Sequence, residues 1–163
     1  MVRPAEPEKR LDLARRAVDV FAREGIDVPI ARIADELGVK RPTLLYHFPT
    51  RAHIVETALQ ALLLEQAEFV LARIAEHEHP IDRLYAQLRA VHAFHHGREA
   101  RIAILSQAIA ASGGRMAELI EIGNQVFDAH RRAAADRIRE GIRRGIVAPC
   151  DADALVNLVR AVT

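Results

Sequence analysis

The sequence predicts an all-α protein, an N-terminal three-helix helix-turn-helix domain followed by a C-terminal antiparallel helical bundle. Three observations predict it. Apolar residues recur at three- and four-residue spacing along most of the chain, and no alternating polar and apolar stretch marks a strand. Half of the 163 residues are hydrophobic, enough for a real core, and helix-favouring Ala, Leu, Ile and Arg dominate over five Phe, two Tyr and no Trp. Gly and Pro cluster at a few points instead of recurring every ten residues or so, which argues against a β-sandwich.

The elements follow in order. Leu11, Ala14, Val18, Phe21 and Ala22 stripe a first helix over about residues 6–24, stopped at Gly25. A short second helix follows Asp27, with Pro29 favourable in its first turn, and runs to Leu37. Gly38 permits a turn with positive φ. A third helix covers about 41–48 and ends at Pro49, and Thr50 is placed to cap a fourth that reaches about residue 77. The fifth begins near Pro80, striped by Ile81, Leu84, Tyr85, Leu88, Val91, His92 and His95. The sixth covers about 98–111 and stops at Ser112, Gly113 and Gly114. A long seventh, about 115–145, carries Leu119, Ile122, Val126, His130, Ala134, Ile138 and Ile142. Residues 147–150 break it, and Asp151 is placed to cap a last helix.

Composition narrows the function classes. The formal charge is only +1, so overall basicity does not announce nucleic acid, and a local patch matters more. Residues 1–51 hold ten Lys and Arg against eight Asp and Glu. Cys150 stands alone, which rules out an intrachain disulfide, and the charged first ten residues carry no signal-peptide pattern, so a cytoplasmic setting is expected. The most apolar stretch, 54–74, is interrupted by Glu56, Gln60, Glu65, Gln66, Glu68 and Arg73, as in a buried helix and not a membrane span. There is no Gly-rich phosphate loop, nucleophile elbow or spaced carboxylate pair, so neither an enzyme nor a cofactor is expected.

Residues 29–51, PIARIADELGVKRPTLLYHFPTR, carry the specific signal. Ile33, Leu37, Val39, Leu44 and Phe48 form the inner face of two short helices crossing at a Gly-containing turn, with small Ala34 at the closest approach. Pro42, Thr43 and Tyr46 then point outward, with Lys40, Arg41 and His47 on the flanks. Cations and hydroxyls in that arrangement suit phosphates and base edges at the mouth of a major groove. A basic surface hairpin with no such role is the plain alternative.

On Ala14, Phe21, Gly25, Ile33-Ala34, Gly38-Val39, Thr43-Leu44, Tyr46-His47-Phe48 and Arg51, the sequence resembles the tetracycline-repressor (TetR) family, closely over about residues 10–60. The resemblance implies a DNA-binding domain at 1–48 and an effector-binding, dimerising helical domain at 49–163. It also implies a regulator, usually a repressor, released from operator DNA by a small molecule. The family's DNA contacts fall on Arg41, Pro42, Thr43, His47 and Arg51, the last gripping phosphate. Lys40 and Tyr46 stand where the family varies and tune sequence choice. Two features depart from the family: Leu45 replaces the usual Tyr after Thr-Leu, and the loop after Gly25 is one residue short. Ala31 also offers DNA no polar group.

For the body, the expected homodimer uses helices 115–145 and 151–163, with Ala133, Ala134, Gly141 and Gly145 allowing close approach and Ile138 and Ile142 adding apolar area. Ordinary packing within one subunit is the alternative. Thr163 falls inside an apolar-periodic helix with no cap signal, so the natural chain is expected to continue. Phe69, Tyr85, His92, His95, Phe127 and His130, with Phe94, are candidates for an effector pocket, and Ser106, Gln107, Asn124 and Gln125 for orienting a ligand; plain core and surface positions explain them as well. His92 and His96 stand four apart, the spacing that shares a transition metal, yet no Cys, Asp or Glu joins them, so no metal site is expected and a metal-responsive regulator stays an alternative. An architectural DNA binder without effector control is the other. His53, His77 and His79 read as exposed polar positions.

Overall fold

A computed structural model describes residues 7–111 and 115–161. The helices are α1 (Pro7–Glu24), α2 (Ile30–Leu37), α3 (Arg41–His47), α4 (Arg51–Ala75), α5 (Pro80–His95), α6 (Glu99–Ala111), α7 (Arg115–Arg143) and α8 (Ala152–Ala161). No strand occurs among the described residues. Among them, too, no helix is long and apolar enough to cross a membrane. The expected roles of Ser106, Leu119, Ile122, Asn124, Gln125 and Val126, the stop at 112–114 and the chain end at Thr163 lie outside what is described.

Local chemistry explains the boundaries. Gly38 closes α2 at φ +68°, its N–H donating to the Asp35 carbonyl at 3.0 Å while the Val39 N–H donates to that of Ala34 at 3.0 Å. Both bonds satisfy carbonyls that the helix end leaves open. The Thr50 hydroxyl accepts the His53 N–H at 3.4 Å at the head of α4, and Asp151 accepts the Ala154 N–H at 3.0 Å at the head of α8. α4 and α7 each end two residues before the expected position, which is ordinary fraying.

The chain divides into two compact units, one made of residues up to Glu65 with Gly97–Met116, the other of Gln66–His96 with residues from Ala117 onward. The boundary expected at residue 48 falls inside the first of these units.

In the first unit, α1 packs on α2 and α6, and α2 packs on α3. Leu13, Ala14, Ala17, Val18 and Phe21 share one face of α1 and are buried, as are Ile54, Ala58 and Leu62 of α4. A side chain the size of Phe21 contributes about 1.5–3 kcal/mol through its burial. Asp19 of α1 holds Arg101 of α6 at 2.8 Å.

In the second unit, Leu84 of α5, Ala135 and Ile138 of α7, Val147, and Ala152 and Val156 of α8 form the core, with Ala134 and Ile142 packed against it. Gly141 is buried at the tightest point: a Cβ there would meet Val147 Cγ2 at 2.7 Å and Pro80 Cγ at 3.3 Å. Four of the residues expected to face a second copy, Ala134, Ile138, Gly141 and Ile142, are therefore used within the subunit. Ile138 is fully buried, Ala134 and Ile142 support the same core, Gly141 admits Val147, and Gly145 lies beyond the end of α7. Periodicity revealed the apolar face, and the following turn and α8 cover it. Arg139 of α7 pairs with Asp153 of α8 and Asp136; the hydrogen bond to Asp153, above all, raises its pKa above the ordinary guanidinium value. His79 also has a structural role, its Nε2 lying 3.0 Å from the Ile146 carbonyl. Cys150 is a free, exposed thiol in the turn before α8.

Candidate nucleic-acid interface

The recognition face is set by what α2 and α3 bury. Ile33, Ala34 and Leu37 of α2 and Leu44 of α3 are buried, and Phe48, also buried, follows α3 directly. The Arg10 guanidinium covers the Phe48 ring at 5.5 Å and donates to Thr57 Oγ1 at 3.3 Å, so α1, α3 and α4 are joined around one aromatic ring. Arg16 donates to the Leu37 carbonyl at 2.5 Å, fastening the end of α2 to α1. α3 thus has little freedom to roll.

With that face fixed, Lys40, Arg41, Pro42 and Tyr46 are exposed and Thr43 and Leu45 are half-buried. The expected outward set therefore shares one side of α3. His47 does not join it: at three residues from Leu44 it falls on the inward side and is 6% exposed, with its ring 5.2 Å from Tyr46 and 6.4 Å from Phe48. The flank position expected for His47 is corrected accordingly.

Arg51, the expected phosphate grip, is occupied. Its guanidinium donates to the Asp27 carbonyl at 2.7 Å and to Asp27 Oδ1 at 2.9 Å, clamping the start of α4 to the loop between α1 and α2. Nothing in the sequence signals this pair, whose partners stand 24 positions apart.

The charges of the head are unevenly compensated. Arg23 pairs with Glu36 at 2.7 Å, and Arg32 with Glu24 at 3.0 Å and Glu36 at 2.9 Å. The hydrogen bond from Arg32 to Glu24, followed by the charges of Glu24 and Glu36, raises the pKa of Arg32 above its ordinary value. Among the described residues, the Lys40 and Arg41 side chains have no ion-pair or hydrogen-bond partner. Two uncompensated cations therefore stand at the exposed start of α3, beside the Thr43 and Tyr46 hydroxyls.

A family model described as bacterial regulatory proteins, tetR family, matches residues 13–58, which run from α1 through α2 and α3 into α4. That stretch is of tetR-family type. Over 141 residues the chain is 25% identical to the HTH-type transcriptional regulator EthR of Mycobacterium tuberculosis, a match covering 85% of the chain. It spans 65% of the length of that relative. In fold it is similar to the ketosteroid transcriptional regulator KstR2 of Mycobacterium tuberculosis (TM-score 0.61, 21% identity, 98% of this chain and 82% of that one). It is likewise similar to AibR, solved in complex with isovaleryl coenzyme A and operator DNA (TM-score 0.66, 15% identity, 93% of this chain and 82% of that one).

The residues expected to line an effector pocket fall into separate groups of the second unit. Phe69 and His95 flank Phe94, with ring centroids 5.7 and 5.1 Å from it, and His95 Nε2 lies 3.1 Å from Gln66 Oε1. Tyr85 is 60% exposed, beneath the Arg89 guanidinium at 5.8 Å. Phe127 and His130 form an exposed pair on α7, and His92 is exposed on α5. A small cleft of about 160 Å³ lies between α7 and α8, lined by Asp128, Arg131, Arg132, Asp153, Val156 and Asn157, none of them expected from the sequence. Among the described residues, no three His, Cys, Asp or Glu side chains come together as metal ligands.

Proposed function

We propose that this chain is a cytoplasmic, homodimeric transcriptional regulator of the TetR family that reads operator DNA through α3 and is released from it by a small-molecule effector, acting as a repressor. The observation that carries the DNA reading is the pair of uncompensated cations, Lys40 and Arg41, presented with Pro42, Thr43 and Tyr46 over the inward-locked Leu44 and Phe48. Arg41 and Thr43 touch the duplex first, Lys40 and Tyr46 adjust base choice, and Arg51 anchors phosphate at the head of α4. His47, being buried, acts by holding α3 in place. Leu45 offers thymine methyl groups an apolar contact where a hydroxyl would have met phosphate.

In a dimer, two recognition helices enter successive major grooves only when they stand about 34–36 Å apart. An effector that prefers another spacing weakens DNA binding by its differential affinity for the two states. AibR was solved with isovaleryl coenzyme A, so acyl-coenzyme A compounds are the first effectors to try. Phe69, His95 and Phe94 are the residues to examine around a bound acyl chain.

Fluorescence anisotropy with the DNA upstream of the chain's own gene, at stated salt and against random competitor, tests the reading. Specific binding is expected, with Arg41→Ala plus Thr43→Ala weakening it about tenfold or more, as loss of one or two groove contacts implies. Equal affinity for random DNA would instead identify an architectural binder.

A further inference from the structure

The Arg51 guanidinium is held by a carboxylate before any DNA arrives. Asp27 Oδ1 lies 2.9 Å from it, and the Asp27 backbone carbonyl takes a second hydrogen bond at 2.7 Å. The Asp27 side chain is 89% exposed and has no ion-pair partner among the described residues besides Arg51. It caps no helix, since α2 starts behind Pro29. Its carboxylate therefore has one visible task, at the cation assigned to phosphate above.

We propose that Asp27 is an internal competitor of DNA phosphate for Arg51, and that this competition sets the affinity and salt dependence of operator binding. The inference rests on the DNA-binding function proposed above. A phosphate oxygen asks of Arg51 what Asp27 Oδ1 already provides, a charge-assisted N–H···O⁻ bond. Both cannot sit on the same face of one guanidinium without bringing two negative charges together. Docking therefore exchanges the carboxylate for phosphate and leaves Asp27 close to the backbone it was displaced by. The pair is exposed, so it opens easily, which makes the competition a modest and adjustable brake. The backbone carbonyl of Asp27 accepts from Arg51 through a bond that does not involve the carboxylate, so Asp27→Asn removes the competing charge and leaves that acceptor in place.

The test is a double-mutant cycle of Asp27→Asn and Arg51→Ala on operator DNA, measured by anisotropy over a salt series with melting as a folding control. Asp27→Asn is expected to tighten binding about threefold per head, within the range that an exposed pair allows. It should also steepen the dependence of log K on log salt, by up to about one unit per head. In the Arg51→Ala background both effects should shrink to the small part that direct repulsion between Asp27 and phosphate contributes. Unchanged or weaker binding by Asp27→Asn overturns the proposal, because Asp27 would then be preparing Arg51 for phosphate. Equal tightening in the Arg51→Ala background also overturns it, because the effect would then be general charge. If the unmutated protein shows no operator preference, the failure lies with the DNA-binding function instead.

Discussion

Gly38 stands at φ +68° with nothing within 4 Å of the place where a side chain would begin, so backbone strain alone decides what substitution does there. Gly38→Ala is expected to cost about 1–2 kcal/mol, the penalty for an L-residue in left-handed conformation. Thermal unfolding would read it, and an unchanged melting temperature would count against the strained turn. The need for glycine at this point is visible in the sequence, since it sits between two short apolar-patterned helices. The placements of His47 and Arg51 are not. His47 follows two residues that read as surface positions, and its inward turn depends on Leu44 and Phe48 being fixed by Arg10 and α1. Arg51 reads as a free cation until the loop carrying Asp27 is folded beside it.

At the scale of elements, Gly141 decides how closely the turn after α7 approaches that helix. A Cβ at 2.7 Å from Val147 forces that side chain or the turn to move. Gly141→Ala should destabilise by about 1–3 kcal/mol through overpacking, less the roughly 1 kcal/mol that Ala contributes inside a helix. Val147→Ala in the same chain should restore most of the loss in a denaturant titration; if the double variant is no more stable than Gly141→Ala alone, steric conflict at this contact is not the cause. Element limits were legible because Gly25, Gly38, Pro49, Thr50, Pro80 and Asp151 punctuate the chain where backbone chemistry requires it. The partner of each apolar face was not. A stripe such as Ala134, Ile138 and Ile142 looks the same whether a neighbouring turn or a second subunit covers it.

For the whole molecule, the expected dimer must use what α7 and α8 leave uncovered. Leu158 is 61% exposed on α8, opposite buried Ala152 and Val156. Burying a leucine contributes about 1.5–3 kcal/mol, and a two-fold interface counts it twice, for about 3–6 kcal/mol. Leu158→Glu should therefore weaken self-association by a hundredfold or more in analytical sedimentation, with helical content unchanged. An unaltered dimer would move the interface elsewhere.

Cys150 gives the proposed dimer a practical property. It is the chain's one cysteine, it is exposed, and it sits one residue before the cap of the helix that carries Leu158. A spin label or fluorophore attached there would appear once per protomer, without any engineered site. The distance between the two labels would then serve as a ruler, read in solution with and without operator DNA or a candidate effector.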